Sequence, residues 1–291
     1  MKSGVLLVNK PKDFTSFDVI AVLRGVLHEK RLGHTGTLDP MATGVLPVLV
    51  GKATKACDIL PDNKKGYIAG FKLGIATDTQ DITGKVLKKS ENLPTKEAFE
   101  GACQKLLGKT MQLPPMFSAV KVNGQKLYDL ARQGIEVERE PREIEVFSIE
   151  LLSFDKALGE GSVEIYCSKG TYIRTIIHDI GEDLGCFGCM TSLVRVFSQG
   201  FELEKCQTLD EIKADAEIES KILPIDTLFA EYPSIQLSEK QEKMYKNGIK
   251  LSAEKVQGAT EEGLYRLYGE EFLGLCKVSD GEVTVYKNFW G

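Results

Sequence analysis

Residues 31–44 interrupt every periodic hydrophobic pattern in this sequence. They read RLGHTGTLDPMATG, with three glycines, one proline and no apolar stripe. This composition favours an ordered loop, and loops held by rigid elements commonly carry chemistry. Any fold of this chain must therefore supply regular elements on both sides of the loop to hold it in place.

Such elements are predicted on both sides. Residues 4–9 are rich in Val and Leu and predict a buried strand that ends at Lys10 and Pro11. A helix follows, with Thr15 or Ser16 as its N-cap and apolar residues at helical spacing on one face. After the loop, residues 45–51 predict a second strand and residues 53–60 a short helix.

The rest of the chain alternates strands and helices and then changes character. A strand is predicted at 67–76 with a hairpin partner at 85–87, and Asn123–Gly124 marks another hairpin turn. Further helices are predicted at 94–107, 126–133, 171–184 and, on the surface, in the acidic segment 202–222; strands are predicted at 144–154 and 162–167. After Pro224, short strands and turns indicate a small β module from about residue 231.

The charge of the chain is unevenly distributed. The 291 residues, enough for about two domains, carry a net charge of −5. That charge alone argues against a nucleic-acid partner, because phosphate neutralisation needs Lys and Arg. However, residues 1–140 carry +6 and residues 141–291 carry −11. This asymmetry permits a basic face on the first half.

The cysteines and the apolar segments indicate the compartment. Seven cysteines are scattered through a long chain, which predicts reduced thiols. Cys186 and Cys189 form a C-x-x-C pair, but a zinc site needs four ligands and no second pair follows, so we interpret them as small residues in a tight turn. No apolar stretch can cross a bilayer, and the N-terminal apolar run is too short for a signal peptide. We expect a cytoplasmic protein without membrane contact.

Within the loop, Asp39 is the strongest candidate for chemistry. Pro40 disfavours a helical backbone at Asp39, so the carboxylate sits on a pre-set, extended chain. A carboxylate fixed in this way can serve as a nucleophile, a general base or a metal ligand. The alternative is an Asp-Pro turn whose side chain bonds nearby amides.

The motif around Asp39 resembles that of a known family. Residues 33–55 read GHTGTLDPMATGVLPVLVGKATK, which is similar to the catalytic motif of bacterial tRNA pseudouridine-55 synthases. Four more stretches resemble this family in the same order: VNKP at 8–11, KKGY at 64–67, PPMFSAVKVNGQKLYDLARQGIEV at 114–137 and CSKGTYIRTI at 167–176. The resemblance is continuous over about residues 1–200.

The resemblance implies a reaction and its catalytic residues. Asp39 matches the aspartate that helps detach uracil from C1′ of the ribose before the base re-attaches through C5; attack on the sugar and elimination both remain open. Arg174 matches the arginine that pairs with this carboxylate, the alternative being an arginine that binds phosphate or solvent. Tyr67 matches the active-site tyrosine, whose ring can stack on the flipped uracil and whose hydroxyl is a candidate base at C5.

Other matching positions are expected to bind the substrate. A neutral imidazole at His34 would stack in the space that the flipped nucleotide vacates. Tyr172 and Leu193 match pocket walls, with a core role as the alternative, and Lys10 is expected either to support the loop or to contact the substrate. Basic side chains near the loop are candidates for RNA phosphates. The expected substrate-binding residues are Lys10, Arg31, His34, Lys64, Tyr172 and Leu193.

The resemblance also implies an architecture and a substrate. The expected fold is α+β: a mixed, mainly antiparallel sheet with a central catalytic cleft over residues 1–230. Residues 231–291 are similar to a PUA domain, a small RNA-contacting β-barrel, on LSEKQEKMYKNG at 237–248 and FLGLCKV at 272–278. The implied substrate is the tRNA T-arm, where uridine 55 becomes pseudouridine without cofactor, metal or guide RNA, and we expect a monomer.

Three other interpretations compete with this one. An RNA-binding module would have a vestigial pocket, which the joint presence of Asp39, Tyr67 and Arg174 argues against. A guide-dependent pseudouridylase is expected to carry extensions and basic tails that this sequence does not show. A metal hydrolase is disfavoured because the three histidines are dispersed.

Overall fold

The computed structural model describes residues 2–61, 64–122 and 124–290. In chain order its strands are β1 (Gly4–Lys10), β2 (Leu32–His34), β3 (Thr43–Val50), β4 (Lys65–Leu73), β5 (Ile75–Thr77), β6 (Val86–Lys89), β7 (Gly108–Gln112), β8 (Lys121–Val122), β9 (Gln125–Lys126), β10 (Arg142–Asp155), β11 (Glu160–Cys167), β12 (Gly188–Ser198), β13 (Phe201–Glu202), β14 (Ser234–Gln236), β15 (Leu251–Ser252), β16 (Gly263–Tyr268), β17 (Phe272–Ser279) and β18 (Glu282–Asn288). Its α-helices are α1 (Ser16–Leu27), α2 (Lys96–Gln104), α3 (Leu127–Arg132), α4 (Ile173–Asp183), α5 (Leu209–Ala214) and α6 (Glu239–Lys246).

A mixed sheet of nine strands organises the larger part of the chain. Seven strands lie in the order β1-β3-β12-β4-β11-β10-β7, while β2 pairs with β3 and β13 pairs with β12. Among these pairings only β3 with β12 is parallel. The predicted α+β class with a mixed, mainly antiparallel sheet is therefore confirmed.

The two faces of the β1–β3 edge bury different partners because side chains alternate along a strand. Leu6 and Val8 of β1 pack with the buried face of α1, which presents Ile20 and Leu23. The alternate β1 residues pack against the C-terminal region, including Phe229. Both faces of this edge are covered, which explains why its strands are almost continuously apolar.

Helices α2 and α4 cover the other end of the sheet. The ring of Phe99 in α2 stacks on Phe71 of β4 with centroids 4.5 Å apart, and Phe154 of β10 packs beside both rings. The buried isoleucines of α4 recur at helical spacing and join the same core. This core fixes the start of α4 against the central strands.

The C-terminal region has a sheet and a core of its own. Its strands lie in the order β14-β16-β17-β18-β15, and their apolar side chains form a separate buried cluster with α6. The aromatic rings of Phe229, Phe272 and Phe289 pack together where this sheet meets the rest of the chain. The two parts therefore pack directly on one another.

Two predictions of secondary structure need correction, and one central strand was missed. The helix expected at 53–60 is a 3-10 helix at Gly51–Ala56, and in the acidic segment 202–222 only α5 is α-helical. Strand β12 was not predicted, although it lies in the middle of the sheet. The predicted hairpin turn falls on Asn123, which lies outside the described residues. No helix in the described ranges is long and apolar enough to cross a membrane.

The loop between β2 and β3 is anchored at its base by α1 and β12. Ser16 Oγ accepts a hydrogen bond from the Leu38 amide at 2.9 Å, and the Asp13 amide donates to the Pro40 carbonyl at 2.8 Å. Gly44, at the start of β3, has a φ of +105° and packs against the backbone of Arg195 in β12. A Cβ atom at Gly44 would lie 2.2 Å from the Arg195 carbonyl oxygen.

Gly44→Ala is expected to destabilise the protein by more than about 2 kcal/mol, because it combines a positive φ with a backbone clash. Gly25→Ala is a matched control: Gly25 lies in α1, where a Cβ would meet no atom within 4 Å, and we expect it to stabilise by about 0.5–1 kcal/mol. Urea unfolding of both variants measures the difference. Equal free energies of unfolding would contradict the tight β3–β12 contact.

Candidate active site

An ion pair joins the loop to helix α4. Nη2 of Arg174 lies 2.7 Å from Oδ2 of Asp39. The arginine side chain is 6% exposed, whereas that of Asp39 is 41% exposed. The carboxylate is therefore anchored from inside the protein and open to a ligand on its other side.

The position of Arg174 depends on how α4 begins. Arg174 is the second residue of the helix, where backbone amides lack partners within the helix. Gln112 at the end of the edge strand β7 bonds the preceding residue twice: its Oε1 accepts from the Tyr172 amide at 2.8 Å, and its Nε2 donates to the Tyr172 carbonyl at 3.1 Å. The start of α4 is thus tied to the sheet.

A second carboxylate holds the other side of the same guanidinium. Oδ2 of Asp81 lies 3.7 Å from Nη1 of Arg174, and Oδ1 of Asp81 accepts hydrogen bonds from the hydroxyls of Thr79 and Thr83 at 2.9 and 2.6 Å. Asp81 is buried. Sequence reasoning overlooked it, although the polar turn DTQDIT at 78–83 carries an Asp/Thr pattern typical of side-chain-bonded turns.

Tyr67 and Leu193 are diagonal neighbours on the two central strands. Both are buried and belong to the cluster that contains Leu38 and Ala42 of the loop. Tyr67 in β4 is opposite Arg195 in β12, and Leu193 is opposite Ala69 two residues further along. Burial raises the pKa of the Tyr67 phenol. The loop, β4 and β12 therefore meet at one place beside Asp39.

Two cations lie beneath the loop. Lys10 is completely buried, and its Nζ donates to the carbonyls of Phe14, Pro11 (2.9 Å) and Pro40 (3.3 Å). Arg195 is also completely buried and donates to two more carbonyls of this region. Lys10 was expected either to hold the loop in place or to contact the substrate, and this geometry favours the first function. Arg195 was not singled out from the sequence.

His34 lies at the end of β2 and is half-buried. Burial lowers the pKa of its imidazole, and the positive charge of Arg195 lowers it further. The ring is therefore neutral at pH 7, as the proposed stacking role requires. Its Nδ1 atom has no hydrogen-bond partner among the residues that the structure describes.

The remaining expected binding residues lie further out. Tyr172 is half-buried at the N-cap of α4, two residues before Arg174. Arg31 is exposed at the start of the loop, and Lys64 is exposed before β4 with its Nζ 4.5 Å from the centroid of the Phe147 ring. In the part of the chain that the structure describes, neither Arg31 nor Lys64 forms a hydrogen bond or ion pair with Asp39. Among the described residues, no group of three or more His, Cys, Asp and Glu side chains is placed to hold a metal ion.

The buried Lys10 makes the stability depend on pH. Burial lowers its pKa from 10.5 to about 8, so between these pH values the unfolded chain binds more protons than the folded one. The contribution of Lys10 to the free energy of unfolding should therefore rise from pH 8 towards pH 10.5, by roughly 3 kcal/mol at most. Chemical unfolding across this range should show that the free energy of unfolding of the wild type rises relative to that of Lys10→Met. Parallel pH curves for the two proteins would contradict it.

Comparison with known families agrees with the arrangement of these residues. Residues 24–173 match the model of the TruB family pseudouridylate synthase N-terminal domain. Residues 174–230 match the tRNA pseudouridylate synthase B C-terminal domain. The two matches are contiguous and together contain the loop, both central strands and α4.

Solved structures of similar fold include chains from larger complexes. A chain in the crystal structure of a Cbf5-Nop10-Gar1 complex superposes with a TM-score of 0.74 and 25% identity, covering 99% of this chain and 85% of that one. A chain in an H/ACA RNP bound to a substrate RNA containing 2′-deoxyuridine gives a TM-score of 0.73 at 22% identity, with the same coverage, and shows the fold alone.

Bacterial relatives are more similar in sequence. The tRNA pseudouridine synthase B of Clostridium acetobutylicum is 42% identical over 98% of this chain and 98% of its own length. The enzyme of the same name from Lactobacillus acidophilus is 44% identical over 87% of this chain and 88% of its own length. This chain therefore belongs to the TruB family of pseudouridylate synthases.

Proposed function

We propose that this protein isomerises uridine to pseudouridine in tRNA, at position 55 of the T-loop, with Asp39 as the catalytic residue. The observation that carries the proposal is the 2.7 Å ion pair between Asp39 and Arg174 beside the buried Tyr67. The names of the bacterial relatives support tRNA as the substrate. The position within tRNA rests on the motif resemblance at residues 33–55.

The geometry of the ion pair suits a reaction at the ribose. Arg174 is held by Asp81 and by the Thr79 carbonyl on one side, so its other side can hold the Asp39 carboxylate in a single orientation. The second oxygen of Asp39 remains available to the sugar. Both routes to the detached base, attack on C1′ and elimination, require a carboxylate placed next to the ribose in this way.

The overall reaction is balanced without a cofactor. The N1–C1′ bond of uridine breaks, a C5–C1′ bond forms, the proton on C5 leaves and N1 gains a proton. No net oxidation or reduction occurs, so the protein must supply only positioning, charge and a proton acceptor. Hydrolytic glycosidases use two carboxyl groups and a water, whereas Asp39 is the carboxylate that the loop presents.

The pocket walls suit a flipped pyrimidine. Tyr67 and Leu193 offer an aromatic face and an aliphatic side chain on adjacent central strands. Extraction of a base from a structured loop costs a few kcal/mol, which stacking on Tyr67 would offset. The neutral His34 at the loop edge would occupy the vacated space.

We also propose that the protein acts on tRNA alone, as a monomer, with its C-terminal module as a second RNA contact. The neighbours from the Cbf5-Nop10-Gar1 complex and the H/ACA RNP are 22–25% identical, whereas the bacterial relatives named tRNA pseudouridine synthase B are 42–44% identical. A module boundary near residue 231 is supported by the separate sheet and core of residues 234–288 and by the end of the family match at residue 230.

Removing the charge of Asp39 tests the proposal directly. Asp39→Asn keeps the shape of the side chain but is expected to lower single-turnover pseudouridine formation in an unmodified tRNA transcript by at least about 10³-fold. Arg174→Lys keeps the charge but loses the planar fork, and should also lower the rate with little change in tRNA affinity.

The matched control is Asp210→Asn. Asp210 is exposed on α5 and contacts Lys213 at 3.2 Å, so its substitution should leave the rate unchanged. Every pseudouridine formed is mapped by carbodiimide labelling and primer extension. Wild-type activity in Asp39→Asn, or modification at positions other than 55, would contradict the proposal.

The contribution of Lys64 is tested by salt dependence. If this exposed side chain neutralises one phosphate, Lys64→Gln should weaken tRNA binding and reduce the slope of log K against log salt concentration by about 1. Lys64→Arg, which keeps the charge, should restore the slope. An unchanged slope in Lys64→Gln would exclude this contact.

A further inference from the structure

Arg195 is the largest side chain that the fold buries completely. A guanidinium removed from water is costly unless its donors are satisfied. Its Nε donates to the Val45 carbonyl at 2.7 Å, and its Nη2 donates to the Gly36 carbonyl at 3.2 Å. No carboxylate in the described part of the chain forms an ion pair with it. The sequence thus keeps a charged group in the sheet centre with only neutral partners.

The two carbonyl groups bonded by Arg195 flank the catalytic loop. Gly36 lies three residues before Asp39, and Val45 lies six residues after it. Because the guanidinium is planar and rigid, it fixes the separation of these two points of the loop. The backbone of Arg195 also pairs with Gly44 in the parallel β3–β12 contact. The ends of the loop therefore have one common anchor.

The third guanidinium nitrogen of Arg195, Nη1, donates to no backbone carbonyl among the described residues. Nη1 is buried and has no partner within hydrogen-bond distance among the described residues. Tyr67 is directly opposite Arg195 in the β4–β12 pairing, and its hydroxyl faces the guanidinium. The other groups that face this hydroxyl are Cys167 of β11 and Asp39 of the loop. Arg195 is the cation that the strand register places opposite this phenol.

We propose that Arg195 is a positioning residue for the isomerisation: it holds the Tyr67 hydroxyl and both ends of the Asp39 loop, so that the phenol oxygen and the carboxylate face the same nucleoside. This inference rests on the proposed function. Nη1 is the guanidinium nitrogen that no backbone carbonyl of the described residues occupies and that is left for the phenol oxygen. Arg195 itself is fully buried beneath the loop and does not contact the RNA backbone.

The kinetic test separates positioning from binding. Arg195→Lys is expected to lower the single-turnover rate by about 10–100-fold, as loss of a supporting hydrogen-bond partner typically does, while the tRNA Kd stays unchanged. In the Tyr67→Phe background the same substitution should lower the single-turnover rate by a distinctly smaller factor, because part of its effect acts through the phenol oxygen. Full additivity of the two losses, or an effect confined to Kd, would overturn the proposal.

The matched control is Arg266→Lys. Arg266 in β16 also donates its Nε to a backbone carbonyl, that of Tyr232 at 2.9 Å, but it lies in the C-terminal sheet away from the loop. Its substitution should change neither the rate nor the coupling with Tyr67→Phe. A rate loss in this control as large as that of Arg195→Lys would show that any lost arginine–carbonyl bond suffices, which overturns the assignment.

A spectroscopic test needs no tRNA, so it stands apart from the proposed function. The protein is labelled with 3-fluorotyrosine, and the fluorine signal of Tyr67 is the one that disappears in Tyr67→Phe. In Arg195→Lys the ammonium group is shorter-reaching, so the phenolate loses a nearby positive charge and the titration of Tyr67 should move to higher pH. An unmoved titration would overturn the proposal even if the enzyme is active.

If Arg195→Lys does not unfold cooperatively, the intact arginine is observed instead. Tyr67→Phe removes only the oxygen and keeps the ring, so it should preserve the fold. The ¹⁵N–¹H signal of the Arg195 guanidinium is then compared between wild type and Tyr67→Phe. A shifted signal supports the contact with the phenol, and an identical signal overturns it.

Discussion

The ion pair between Asp39 and Arg174 connects two segments that lie 135 residues apart in the chain. Neither partner is placed by local sequence alone. Asp39 depends on a loop whose backbone is bonded by α1 and by buried cations. Arg174 depends on the start of α4, which Gln112 of the edge strand β7 holds. Elements from one edge of the sheet to the other therefore converge on one contact of 2.7 Å.

The charged groups around that contact differ in what binds them. The two cations beneath the loop, Lys10 and Arg195, are bonded to backbone carbonyls and not to carboxylates. Asp81 is fully engaged by threonine hydroxyls and by Arg174. Asp39 is consequently the carboxylate of this group that keeps an exposed side. A carboxylate held by a fixed guanidinium is preorganised, because no large rearrangement precedes its reaction.

The sequence predicted the fold class and the loop, and its motifs pointed to Asp39, Tyr67 and Arg174, which the structure places around one loop. Two kinds of information were missing. Strand β12 reads GCMTSLVRVFS, in which polar residues at 191, 192, 195 and 198 interrupt the apolar ones, so it lacks the continuous apolar pattern of a buried central strand. A buried Arg195 cannot be told from an exposed arginine by residue type. The many acidic residues of segment 202–222 suggested one long surface helix. The only α-helix described there begins at the capping box of Thr208 and Glu211 and is six residues long.

The place of β12 in the sheet has a consequence for biosynthesis. This strand, formed by residues 188–198, sits between β3 and β4 and pairs with both. A nascent chain that ends before residue 188 already contains Asp39, Tyr67 and Arg174, yet the two halves of its sheet have no strand to join them. Residues up to 198 must therefore leave the ribosome before β12 can join the two halves of the sheet beneath the loop. The enzyme becomes competent only when about two-thirds of the chain has emerged.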